Sequence, residues 1–156
     1  MKLKFVIFAP YESALVEAQV ALHNLDNVEF RVGTMPEATR GCDALILPGV
    51  FAHDRYGGRT DTERAQILVN TSGDVAPEFI VATPSYAPYF KGSHPVPEES
   101  KLSEILDKCI AVIRNSAGHS ISTVAIPLES MGFEGIDKRL VASAFHRALS
   151  SVDRYL

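Results

Sequence analysis

Apolar positions along the chain form two kinds of pattern, and each predicts a different element. Nearly continuous apolar runs at Leu3 to Ala9 (LKFVIFA), Ala44 to Leu47 (ALIL), Glu78 to Thr83 (EFIVAT) and Thr123 to Leu128 (TVAIPL) predict buried strands. Val28 to Val32 (VEFRV) alternates with period two and predicts another strand, broken by Gly33. Helical spacing appears three times. Leu15, Ala18, Leu22 and Leu25 predict a helix from an N-cap at Ser13 to about Asn24. Leu102, Ile105, Leu106, Cys109, Ile110 and Ile113 fall on one helical face that ends before Gly118. Leu140, Val141, Ala144, Phe145, Ala148 and Val152 predict a last helix capped by Asp137.

The polar stretches between these runs carry signals of their own. Phe51 to Arg59 is rich in glycine and polar groups and reads as a loop. Thr60-Asp61-Thr62-Glu63 matches a capping box, which predicts a helix to about Val69. Pro84 to Pro97 holds four prolines and three aromatics and reads as a long loop, a kind more often functional than idle. Strands alternating with helices predict an α/β fold: a single domain over residues 1–156, with a mixed, mainly parallel sheet between helical layers in a three-layer α/β/α sandwich.

Composition narrows the picture. With 46% hydrophobic and 22% charged residues, the 156-residue chain is suited to one globular domain. A net charge of −4 gives no broad basic field, so nucleic acid is not indicated as a partner. Cys42 and Cys109 form no Cys-x-x-Cys pair, which suggests neither a metal site nor a disulfide framework and fits a reduced, cytoplasmic setting. The apolar run Phe5 to Ala9 is too short for a signal peptide core or a membrane span, so no membrane partner is expected.

Candidate chemistry is sought where open α/β sheets place it, beyond the carboxyl ends of the strands. There lie Gly33, Thr34 and Met35, then Pro48, Gly49 and the Gly57-Gly58 stretch, then Tyr86, then Glu129 to Gly135. Glycine-containing loops that run into helix N-termini bring backbone N–H donors and partial positive charge to an anion, typically a phosphate. Two such loops facing each other suit a diphosphate, although turn-making alone also accounts for the glycines. His53 beside Asp54 is the candidate pair for activating water, with a solvated pair as the plainer reading. Arg55 and Arg59 are either phosphate clamps or solvated. Cys109 sits on an apolar stripe and reads as core.

VEFRVGTM at 28–35, CDALILPGV at 42–50, YGG at 56–58 and TVAIPLESMGFEG at 123–135 together resemble a macro domain, the ADP-ribose-binding module. The resemblance runs over most of the chain from Val28 onward, and the leading strand and helix resemble an N-terminal unit of some bacterial and phage relatives. It implies an ADP-ribose-type ligand, no other cofactor, and a partner that is a free nucleotide or an ADP-ribosylated macromolecule. It implies a diphosphate flanked by Gly57, Gly58 and the backbone of Ser130, Met131, Gly132 and Phe133, adenine contacts at Thr34 and Met35, and Gly33 and Gly49 as further ligand-binding positions. Phe133 or Tyr86 would pack on adenine or ribose. Two positions depart from the family pattern. Thr34 stands where the family has its adenine-reading Asp, and Pro48-Gly49-Val50 replaces Asn-Ala-Asn, which removes the group that serves hydrolysis in family enzymes. Binding is thus the first expectation, ADP-ribosyl hydrolysis through His53, Asp54 or Glu129 the second, and a scaffold that has lost the site the third. The run DALILPG also resembles a strand of glutamine-amidotransferase-like proteins, but those place a reactive Cys at a strand-to-helix elbow, and Cys109 is predicted mid-helix.

Overall fold

The computed structural model describes residues 2–84, 99–116, 118–129 and 136–150. Among these, the strands are β1 (Lys4–Ala9), β2 (Val28–Val32), β3 (Ala44–Leu47), β4 (Gln66–Val69), β5 (Phe79–Ala82) and β6 (Thr123–Pro127). The helices are α1 (Val16–Leu22, preceded by a 3-10 turn at Glu12–Leu15), α2 (Met35–Ala38), α3 (Gly49–Tyr56), α4 (Glu99–Arg114) and α5 (Lys138–Ser150). The strands form one mixed sheet in the order β2-β1-β6-β3-β5-β4, parallel throughout except for β4, which runs antiparallel to β5.

Position in the sheet follows from the sequence of each strand. The four runs that are almost wholly apolar, β1, β6, β3 and β5, take the centre, where both faces are covered. β2, with Glu29 and Arg31 between its apolar residues, and the half-exposed β4 take the edges. Successive residues of a strand face opposite ways. Phe5, Ile7, Ile46, Val81 and Ile126 pack against α1, α4 and α5, whereas Phe8, Leu45, Leu47 and Ile80 pack with Ala38 of α2 and Ala52 of α3. The face of α4 read from its spacing is the buried one, and each Leu or Ile on it contributes about 1.5–3 kcal/mol relative to exposure.

Three sequence expectations are corrected. Residues 60–69 are not a helix. The Asp61 carboxylate, rather than the Thr60 hydroxyl, accepts from the Glu63 and Arg64 amides at 2.7 and 3.0 Å, in a bend that stops short of a helix. Gln66–Val69 then pairs with β5 as a strand, where its apolar residues cover the sheet edge. Residues 51–56 are not a loop, because Gly49–Tyr56 is helical. Ser13 is not an N-cap. It lies within the 3-10 turn that leads into α1. The long stretch 85–97 lies outside the described residues.

Candidate functional site

The five parallel strands end on one edge of the sheet, and the seam between β3 and β6 differs from its neighbours there. β6 keeps register with β1 as far as Phe8↔Pro127, and the Leu128 amide donates on to the Phe8 carbonyl at 2.9 Å. With β3 it pairs only at Ala44↔Val124 and Leu45↔Ala125. The reason lies in the residue at 127. N–H groups of successive residues point to opposite sides of a strand, and that of Leu128 points toward β1, so the N–H that proline lacks belongs on the β3 side. The opposite end of the same seam is tied shut. Oδ2 of Asp43 accepts from the Ser122 amide, the Ser122 hydroxyl and the Thr123 amide, each at 2.9 Å. Burial alone would raise the Asp43 carboxyl, but these hydrogen bonds outweigh it and hold the group below the usual carboxylate range.

The chain leaving β3 turns to one face of the sheet as α3, while the helix that follows β6, α5, packs on the other face. Adjacent strands whose following helices lie on opposite faces define the crevice where α/β sheets hold ligands. The first turn of α3 sits at this crevice. Thr83, almost fully buried at the end of β5, accepts from the Gly49 amide through its hydroxyl at 3.0 Å. A Cβ at Gly49 would lie 2.2 Å from the Thr83 carbonyl oxygen, so only glycine lets the helix start this close to the strand. Ala52 N–H closes the first turn onto Pro48, and helix geometry leaves the Val50 and Phe51 amides without an intrahelical acceptor. Their side chains are exposed.

The sequence candidates fall into separate groups. Gly49 is at the crevice. Gly33, Thr34 and Met35 follow β2, two strands away from β6, with the Thr34 hydroxyl donating to the Glu37 carboxylate at 2.7 Å. Gly57 and Gly58 do not run into a helix N-terminus. Both have positive φ and follow the last turn of α3, about 12 Å along the helix from Gly49. A helix C-terminus carries partial negative charge, which disfavours phosphate. The glycine loop that does enter a helix is Pro48-Gly49. His53 and Asp54 are consecutive on α3 and diverge. His53 is buried and its Nδ1 donates to the Gly57 carbonyl at 2.7 Å, whereas Asp54 is exposed. Nδ1 must be the donor because a carbonyl only accepts, so Gly57 rather than Asp54 fixes the tautomer. A Cβ at Gly58 would lie 2.7 Å from that same nitrogen, which explains the second glycine as a packing requirement. Glu129 is exposed at the end of β6, and Arg55 Nε is engaged with Asp74 at 3.1 Å. Tyr86, Ser130, Met131, Gly132 and Phe133 lie outside the described residues.

Cys109 is buried within α4, where desolvation pushes its thiol far up. Among the described residues no cluster of His, Cys, Asp and Glu is arranged to hold a metal ion, and no helix is long and apolar enough to cross a membrane. Sequence reasoning passed over Thr83, Pro127 and the amides of Val50 and Phe51. Pro127 was the available signal, since a proline inside an apolar central strand marks a gap in its ladder. No protein-family model and no curated protein matches the chain.

Proposed function

We propose that the chain binds an ADP-ribose-type ligand, with the diphosphate against the first turn of α3 at the open end of the β3–β6 seam. The observation that carries this reading is that seam. The β3–β6 ladder stops short of Pro127, and the helix N-terminus seated there by Gly49 brings the Val50 and Phe51 amides, which have no intrahelical acceptor, to the carboxyl edge of the sheet. Ser130 to Phe133 follow β6 directly in sequence, as the macro-domain resemblance requires of the opposite wall. A three-layer, macro-domain-like arrangement belongs to the same reading, and so does an intracellular nucleotide or an ADP-ribosylated macromolecule as partner. Binding is favoured over hydrolysis because the His53–Asp54 pair is not assembled: His53 is buried with Nδ1 donating to the Gly57 carbonyl, whereas Asp54 is exposed.

The test is thermal unfolding with ADP-ribose, NAD, AMP and ribose phosphate. A ligand at about 100 times its Kd adds ~2.7 kcal/mol. ADP-ribose is expected to raise Tm more than AMP or ribose phosphate. Val50→Pro, which deletes one first-turn amide at a position equivalent to that of Pro36 in α2, is expected to abolish the rise while the variant stays folded. No shift with any of the four compounds sinks the proposal.

A further inference from the structure

The outer surface of α1 breaks the pattern that governs its inner surface. Ala18 and Leu22 are buried, yet Val16 and Val20, one helical turn apart, are 49% and 68% exposed. Valine is a poor helix former, and among the described residues no packing contact covers it at these positions. Beside this ridge, α1 and α5 pack together and leave a groove of about 370 Å³ between them. Its α1 wall carries Glu17 and Val20, and its α5 wall carries Arg139, Ala142 and His146. Glu17 and Arg139 line the same groove, but the ion pairs of the described residues do not join them.

We infer that this face docks a second copy of the chain about a two-fold axis. A two-fold interface must be complementary to itself, with each element meeting what the same surface offers. This one meets that condition. It holds an apolar ridge, Val16 and Val20, next to a groove of mixed lining that includes Ala21 and Ala142, with the acidic Glu17 on one wall and the basic Arg139 on the other. When α1 of each copy lies along the groove of the other, Val16 and Val20 are covered, and Glu17 faces Arg139 of the partner subunit. A single-sign surface would repel its own copy, and an unrelated partner would need only half of this arrangement. The surface lies on the helical face formed by α1 and α5, and the inference is independent of the proposed ligand.

Sedimentation velocity of the full chain, run from micromolar to submillimolar concentration, is the experiment. The wild type is expected to reach twice the monomer mass. Val20→Glu, Glu17→Arg and Arg139→Glu are each expected to lose the dimer, and the double variant Glu17→Arg with Arg139→Glu to regain it. All three positions are exposed, and circular dichroism of each variant checks that the monomer remains folded. A wild type that stays monomeric, a dimer that survives Val20→Glu, or a double variant that stays dissociated overturns the inference.

Discussion

Gly33 and Gly49 each stand where a strand leads into the helix that follows it, yet the structure asks different things of them. At Gly49 the space for a side chain is taken by the Thr83 carbonyl. At Gly33 a Cβ would meet the Glu37 side chain at 3.4 Å, an ordinary contact, and φ there is not positive. Gly49→Ala is therefore expected to destabilise the fold by about 3 kcal/mol through overpacking. Gly33→Ala is expected to stay within about 0.5 kcal/mol of wild type. Urea unfolding of both variants checks this, through a midpoint that falls for the first and holds for the second. Equal losses would show that the wedge at Gly49 is not what fixes α3.

At the scale of elements, α3 is held by its ends. Its first turn hangs on Thr83, and its last turn hangs on Asp74 in the β4–β5 turn. Oδ2 of Asp74 accepts from Arg55 Nε at 3.1 Å and from the Tyr56 hydroxyl at 3.0 Å, while Oδ1 accepts from Asn70 and from the Ala76 amide. Asp74→Ala is expected to cost about 2 kcal/mol, since several hydrogen bonds to one carboxylate are lost and the half-exposed donors turn to water. Amides of 53–57 should exchange with solvent faster in the variant, and an unchanged exchange pattern would contradict the brace. The same brace explains why α3 was hard to read. Among its eight residues the buried ones are Gly49, Ala52 and His53, too few and too small to print a helical period, so its stability comes from contacts remote in sequence. β4 was hidden for the opposite reason. A strong local signal at Thr60 to Glu63 was outvoted by pairing of Gln66–Val69 with β5. By contrast, α4 and α5 were legible because each buries six or more residues at helical spacing. The central strands were legible because burial on both faces demands an unbroken apolar run.

For the whole molecule, the hydrogen bonds made by carboxylates set how stability depends on pH. Glu29, Asp43, Asp61 and Asp74 are held below their ordinary values, and Asp107 is held above by burial. A depressed carboxyl stabilises the fold fully above its unfolded value, near 3.9 for Asp, and that contribution drains away as pH falls through the folded value. Asp107 acts in the reverse sense, but among the described residues the depressed groups outnumber it, so stability is expected to fall below about pH 4. Asp43→Asn should make that fall shallower, in denaturant titrations run between neutral and acid pH. An identical pH slope would mean that the Asp43 tie across β3 and β6 is energetically silent. The parallel sheet and its alternation with helices were readable from the sequence. The order that sets β3 beside β6 was not, because it depends on which strand ends can meet, and no local pattern records that.

The donors that Gly49 brings to the seam between β3 and β6 are main-chain groups. A main-chain N–H belongs to every residue except proline, so alanine scanning across 48–51 would leave these donors in place, whereas a proline scan would remove them one at a time. The path of the chain, more than the identity of its side chains, is then what heredity must preserve at this place. Residues around it are free to drift, provided that position 49 never acquires a side chain.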